Sequence, residues 1–395
     1  MKFLPLREIA SIQLGKMLSP EAKTGKEAYR YLRNQNVQWG RLDLTDLTTM
    51  DFSERDRVKY ELQHGDLLVC EGGEPGRCAV WHGELGDCYY QKAIHRVRAN
   101  PSLTDTDFLA YWIRLQALTG SFADQNAKTT IAHLPLVRLE QMPVPAIPIE
   151  KQRQIAARLK AQLAEVDKAC QAVEMQLREA DVLGQRIFNK IWAELDSVPR
   201  KSLGDYAQTT SGSTPARGNK QYWQPAEVAW VKTAEVAFAP ITKTEEAISQ
   251  KALAECSLTL LPPKTVLIAM YGQGKTRGQS AILEIPATTN QACFAILPND
   301  AWEPEFLFHW LEFSYQDLRT LSEGRGGNQA NLNGGLLKAL QIPMTDKPTQ
   351  KAIIARIENA LTEIEAVKNG SKAMLNDINL LPQKILAQAF EEVRA

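Results

Sequence analysis

A stretch of about forty residues occurs twice, and no other feature constrains the fold as much. It opens as Gln152-Arg153-x-Ile155-x-x-Arg158-Leu159 and returns 198 residues later as Gln350-Lys351-x-Ile353-x-x-Arg356-Ile357. Apolar or small residues then follow at alternating steps of four and three. In the first copy they are Ile155, Leu159, Gln162, Val166, Ala169, Val173, Gln176, Ala180, Leu183 and Ile187. In the second they are Ile353, Ile357, Ala360, Ile364, Val367, Ser371, Met374, Ile378, Leu381 and Ile385, in the same phase. A mean spacing near three and a half residues is that of helices packed along an a/d seam. Ordinary helices run to about 11–12 residues, so each of these projects beyond a single core, and the other copy is the available partner.

Two long repeats in 395 residues predict four segments. These are a globular module over 1–148, a helix over 149–195, a second module over 196–346 and a second helix over 347–395. The fold class is α+β, with two alike mixed α/β modules separated by long helices forming an antiparallel coiled coil. A 44% hydrophobic content and zero formal net charge describe an ordinary chain with full-sized cores. No apolar run reaches the roughly 18 residues of a membrane span, and no basic-then-apolar leader is present, so a cytoplasmic location is expected. Six cysteines at irregular spacing, without a C-x-x-C pair, suggest neither a disulfide framework nor zinc. Cys78, His82 and Cys88 lack a fourth ligand at a recognisable spacing.

The modules repeat each other's plan. Asp66-Leu67-Leu68-Val69 and Thr265-Val266-Leu267-Ile268 are strands by length and β-branched content, and each runs into glycine, at Gly72 and Gly272. Tyr90-Gln91-Lys92-Ala93 parallels Thr289-Asn290-Gln291-Ala292, and Tyr31-Leu32-Arg33 parallels Trp230-Val231-Lys232. Frame residues match while the polar loops differ, as expected if the loops read a ligand that the frame positions. Candidate contacts are Arg33, Asn34, Gln35, Asn36, Arg77, Lys92, Lys128 and Thr129 in the first half. In the second they are Lys232, Thr233, Lys275, Arg277, Asn290, Gln291, Arg325, Asn328 and Gln329. Arg and Lys contact phosphates and guanine edges, and Asn and Gln pair bidentately with adenine. Taken singly, each cluster also suits a solvated turn; recurrence at matching places favours binding.

Catalytic chemistry is sparse. Ala269-x-x-x-x-Gly274-Lys275-Thr276 satisfies a relaxed phosphate-loop pattern, which makes a P-loop NTPase the sharpest enzymatic alternative. A phosphate loop needs a helix beginning at its Lys-Thr pair, and Arg277-Gly278-Gln279-Ser280-Ala281-Ile282-Leu283 reads instead as a turn and a strand. A structural coiled-coil adaptor is the other alternative.

With these residues in view, the chain resembles the specificity subunit of a Type I restriction-modification enzyme. The resemblance rests on the proline-led, Gln-containing start of each long helix, Ile147-Pro148-Ile149-Glu150-Lys151-Gln152-Arg153-Gln154-Ile155 and its copy over Thr349 to Ile353, and on the strands before Gly72 and Gly272. It covers nearly the whole chain. Two departures stand out: Gln91 replaces a frequent asparagine, and Asp346-Lys347-Pro348 replaces an acidic pair. The resemblance implies a non-catalytic reader of double-stranded DNA with one target-recognition domain per half of a bipartite site. It also implies two methyltransferase (M) subunits using S-adenosylmethionine, restriction and motor (R) subunits using ATP and Mg, and no cofactor or metal in this chain.

The seam gives a spacer geometry. Antiparallel pairing in which partner numbers total 540 sets Leu159 with Leu381, Val166 with Met374, Val173 with Val367, Leu183 with Ile357 and Ile187 with Ile353. Gly184 and Pro382 occupy one repeat position, and both are helix breakers, so a bend or restart is expected there. Roughly thirty residues before each breaker give a spacer of about 45 Å at about 1.5 Å per residue. That is ~13 base pairs at ~3.4 Å each, so half-sites about one helical turn apart are expected.

Overall fold

The computed structural model describes residues 2–122, 133–272, 274–321 and 331–394. They form two compact units: the described residues up to 175 with those from 372 onward, and those from 176 to 371. The division cuts each long helix near its middle, so each unit holds one module, the first half of one long helix and the second half of the other.

In the first unit, β1 (Ala10–Leu14), β2 (Leu67–Cys70), β3 (Cys78–Val80) and β4 (Ile94–Ala99) form an antiparallel sheet in the order β1-β4-β2-β3. The central strand β2 is apolar at every position because both of its faces are covered. Leu67 and Val69 join a core with Phe108 and Trp112 of α1 (Thr106–Leu118), whereas Leu68 and Cys70 join a second core with Tyr31, Phe52 and Trp81. That alternation is the period-two geometry of a strand. The second core lies beneath a small sheet in which Ala28–Leu32 pairs antiparallel with Thr48–Asp51 and parallel with Cys88–Tyr90.

The second unit repeats the plan with β5 (Thr209–Ser211), β6 (Pro240–Ile241), β7 (Val266–Ala269), β8 (Ser280–Leu283) and β9 (Cys293–Ile296) in the order β5-β9-β7-β8-β6. Val266 and Ile268 pack toward α3 (Pro304–Phe313), and Leu267 and Ala269 toward the opposite core. Val228–Val231 again lies between an antiparallel strand, Glu246–Ile248, and a parallel one, Thr288–Thr289.

The long helices are α2 (Ile149–Ala193) and α4 (Lys347–Arg394). The glutamine that marks each start is buried and saturated. Gln152 accepts from the Thr104 hydroxyl and the Asp105 amide, each at 3.0 Å, and donates to the carbonyls of Leu103 at 3.0 Å and Ile147 at 2.9 Å. Gln350 accepts from the Glu303 amide at 2.7 Å and donates to the carbonyls of Ala301 and Thr345, each at 2.8 Å. A side chain that closes this many bonds to its own module pins the helix to it.

Pairing is antiparallel within each unit, as the seam predicts, but the register differs. In the first unit Arg158 pairs with Glu392 at 2.6 Å and Cys170 lies 3.8 Å from Asn379; in the second, Asp181 pairs with Lys368 at 2.8 Å and Glu194 with Arg356 at 2.7 Å. These partners total 549 or 550 rather than 540, a slide of about ten residues or about 15 Å. The pairs Leu159–Leu381, Val166–Met374, Leu183–Ile357 and Ile187–Ile353 are therefore incorrect. Sockets at the helix ends fix the register. Phe390 packs 5.3 Å from Phe108 and 4.9 Å from Trp112, and Trp192 packs 5.2 Å from Phe306 and 5.7 Å from Phe313. Trp192 and Phe390 stand 198 residues apart, like the rest of the repeat, so the two sockets are equivalent in the two copies.

The stripe also departs from heptads. Inward positions run 155, 159, 163, 166, 170, 173, 177, 180, 184, 187 and 191 on α2, and 353, 357, 360, 364, 368, 371, 375, 378, 382, 385 and 389 on α4. Each covers 36 residues in ten steps, which is the 3.6 residues per turn of an ordinary helix. A 3.5 template drifts by about 20° per heptad against it. Ile155, Leu159, Val166, Val173, Ile353 and Ile357 are buried, and Ile187 and Ile364 are half-buried. Leu183, Val367, Met374 and Leu381 fall outside the stripe and are 38–52% exposed. Neither helix restarts at the breakers: α2 runs through Gly184 and α4 through Pro382. Gly184 faces Ile364, and a β-carbon there would come within 3.1 Å of that side chain. Packing, rather than local propensity, carries these helices past weak positions.

Candidate nucleic-acid interface

Four loops of each module meet at one end of its sheets, tied by backbone hydrogen bonds of which three recur in both modules. In the first module the Lys16 amide donates to the Tyr90 carbonyl at 3.0 Å, Lys92 to Lys16 at 2.8 Å, Gln91 to Leu32 at 3.1 Å and Glu71 to Ala93 at 2.9 Å. In the second, Ser213 donates to Thr289 at 3.0 Å, Asn290 to Val231 at 3.0 Å and Met270 to Ala292 at 2.8 Å. The convergence depends on two glycines that sequence reasoning passed over. A β-carbon on Gly15 would overlap the Gln91 carbonyl, and one on Gly212 the Thr289 carbonyl. Their signal was the glycine that follows the first strand in both halves.

A short 3-10 turn follows the inner strand of each small sheet, Asn34–Asn36 in one module and Thr233–Glu235 in the other. Its last side chain reaches back to the start: Asn36 Oδ1 accepts from the Arg33 amide at 2.8 Å, and Glu235 Oε2 from the Lys232 amide at 2.7 Å.

The candidate residues divide by what they touch. Asn36 is buried and donates to the carbonyls of Asp43 at 2.9 Å and Asp46 at 3.0 Å, so it shapes its loop and is closed to a ligand. Asn290 is similarly engaged, its Oδ1 accepting from the Thr233 hydroxyl at 2.9 Å and the Ala292 amide at 3.1 Å. Arg33 pairs with Asp46 at 2.9 Å, and Gln35 donates to the same carboxylate at 2.8 Å. Arg77 pairs with Glu74 at 3.1 Å and donates to the Asn34 carbonyl at 2.9 Å, while the Asn34 side-chain Nδ2 donates to the Gly72 carbonyl at 2.9 Å. This joins the 3-10 turn to the glycine turn.

In the second module Lys232 contacts Glu245 and Glu246, and the Glu245 hydrogen bond holds its pKa above the usual lysine value. Glu246 is held below the usual carboxylate value, first by the Arg217 guanidinium and against the opposing effect of burial. Arg217 itself lies 4.0 Å from the Trp223 ring and 5.0 Å from that of Trp230, locking a loop that sequence reasoning had not singled out. Arg277 is 9% exposed. Gln291 is exposed, with its Oε1 held by the Thr214 hydroxyl. Lys92 and Lys275 are exposed with no carboxylate in ion-pair range among the described residues. Lys128, Thr129, Arg325, Asn328 and Gln329 lie outside the described residues.

Asp46, Glu74 and Glu245 are the exposed partners in these pairs, so a phosphate arriving from solvent can compete with them for the cations. The geometry does not suit nucleotide hydrolysis. After β7 the chain turns at Gly274 and Lys275 and enters β8, with no helix at the Lys-Thr pair. Arg319 donates to the Gly274 carbonyl at 2.7 Å and the Tyr315 hydroxyl to that of Lys275. The loop thus turns carbonyls toward its donors, where a phosphate loop presents amides. Among the described residues no group of three or more His, Cys, Asp and Glu could hold a metal. Burial pushes the thiol of Cys70 up to about 11 and those of Cys78, Cys88 and Cys293 up to about 12, so they behave as small apolar residues.

A model of the Type I restriction modification DNA specificity domain matches residues 1–172 and 198–376. The specificity subunit of Type I restriction enzyme EcoR124I/EcoR124II from Escherichia coli is 21% identical over 174 residues, covering 44% of this chain and 43% of that one. The specificity subunit of Type I restriction enzyme MjaIX from Methanocaldococcus jannaschii is 28% identical over 199 residues, covering 47% and 44%. The matched stretches thus span less than half the length of these relatives. Among solved structures, the HsdS subunit from Thermoanaerobacter tengcongensis superposes with a TM-score of 0.63 at 16% identity over 98% of this chain and 96% of that one. A chain from a study of complex assembly and conformational transition in the type I R-M system gives 0.72 at 16% identity over 98% and 97%. Both have the α+β fold built on long helices described above.

Proposed function

Because this chain belongs to the family of Type I restriction modification DNA specificity domains, we propose that it reads double-stranded DNA for such an enzyme and carries no catalytic group itself. Each module reads one half of a bipartite site with its four converging loops. Two methyltransferase subunits, using S-adenosylmethionine, and restriction and motor subunits, using ATP and Mg, assemble on it in the cytoplasm. No helix among the described residues is long and apolar enough to cross a membrane. The observation that carries the reading is the recurrence of the same loop cluster in both modules, on matching backbone bonds but with different side chains at the tips. Reading two different half-sites calls for a shared frame with divergent tips.

Several cations in these clusters already face carboxylates, and the formal net charge is zero. Few phosphates are therefore neutralised by this chain unaided. Titration of labelled DNA at two salt concentrations should give weak, salt-sensitive binding by the isolated chain and tight, sequence-specific binding by the complex with methyltransferase subunits. Nanomolar sequence-specific binding by the isolated chain at physiological salt would contradict the proposal.

A further inference from the structure

The loops 90–93 and 289–292 leave their parallel strands on the same backbone bonds, yet they carry different chemistry at one position. The Gln91 amide donates to the Leu32 carbonyl and the Asn290 amide to that of Val231, which makes Lys92 and Gln291 structural counterparts, both exposed. Two facts bear on them. Lys92, like Lys275, has no carboxylate in ion-pair range among the described residues, whereas Arg33 and Arg77 each have one and Lys232 has two. Gln291 has its carbonyl oxygen held by the Thr214 hydroxyl, from the loop that follows the first strand of its sheet. That contact leaves one lone pair on Oε1 and both Nε2 hydrogens open.

A phosphate contact needs only a donor, and nothing in it requires the amide oxygen of a glutamine to be fixed. An adenine edge requires both ends of the amide at once, Oε1 accepting from N6 and Nε2 donating to N7. We propose that position 92/291 is a base-reading position in each module, with Gln291, oriented by Thr214, taking an adenine in one half-site and Lys92 taking a guanine through O6 and N7 in the other. The assignment rests on the DNA-reading role proposed above and deepens it, making Thr214 a positioning residue.

Methylation mapping in cells carrying the chain with its methyltransferase subunits tests this. Gln291→Lys should change the preference at one adenine position of one half-site toward guanine, and Lys92→Gln should do the reverse at one position of the other, with the remaining motif intact. Thr214→Val should lower discrimination at the Gln291 position by about tenfold or more, the scale of a bidentate contact, and Thr214→Ser, which keeps the hydroxyl, should restore it. A wild-type motif with unchanged preferences in both swaps overturns the residue assignment alone. So does a uniform loss of binding to all sequences with a smaller salt dependence, the signature of a phosphate contact. Absence of any motif in the wild type overturns the DNA-reading role, and this assignment with it.

Discussion

Replacing Gln152 with leucine should destabilise the first unit by about 2–4 kcal/mol. The side chain is 1% exposed and closes four hydrogen bonds, to Thr104, Asp105, Leu103 and Ile147. A net hydrogen bond contributes about 0.5–1.5 kcal/mol, but a partner left buried and unsatisfied costs about 1–3 kcal/mol. Thr104 is 1% exposed and cut off from water, whereas Leu103 is 47% exposed. That asymmetry lowers the total below four full penalties. For a unit of this size each kcal/mol moves Tm by about 2–4 °C, so differential scanning calorimetry should show a fall of roughly 4–16 °C in one transition. Gln154→Leu, two residues along on the exposed face, is the control and should stay within about 0.5 kcal/mol. If Gln152→Leu and Gln154→Leu behave alike, the glutamine does not pin the helix to its module.

Asn379→Cys should form an intramolecular disulfide with native Cys170 under mild oxidation, seen as a shifted band on a non-reducing gel, because the two side chains already meet at 3.8 Å; its failure would contradict the observed register. Two of the six thiols, Cys170 and Cys256, should react with a thiol reagent in the native state, and the other four only after unfolding, because those four are buried. Fast labelling of Cys78 or Cys293 would show that their cores open. Glu194 is held below its ordinary pKa of 4.5, chiefly by the Arg356 hydrogen bond. Its contribution is therefore present above about pH 4.5 and lost as pH falls through the lowered value. Just below pH 4.5, unfolding measurements should find stability rising with pH less steeply in Glu194→Gln than in the wild type, and equal slopes would mean that the Glu194–Arg356 pair does not stabilise the fold.

The frame of this protein was legible because it is written in apolar periodicity and written twice. Both faces of Leu67–Cys70 and Val266–Ala269 need cover, and the glutamines that start the long helices recur 198 residues apart. The helix register was not legible, because a repeating stripe permits many slides, and Trp192 and Phe390, which decide among them, do so by packing into modules far away in sequence. The heptad reading failed at Leu183, Val367, Met374 and Leu381 because a small error in period accumulates along forty residues. At the loop tips the types of residue were visible, but their engagement was not. Asp46 and Glu245 capture Arg33 and Lys232 across loops of more than ten residues, and Asn36 looks like a reader until its amide is seen closed on its own loop.

If each module reads its own half-site, exchange of one module should alter half of the recognised motif. Residues 200–346 would be replaced by the equivalent module of a relative with a different methylation motif, and the methylated sites of a host expressing the chimera with its methyltransferase subunits mapped. The expected motif has one half changed to the donor's and the other half as it was; a change in both halves, or in neither, would rule out independent reading by the two modules.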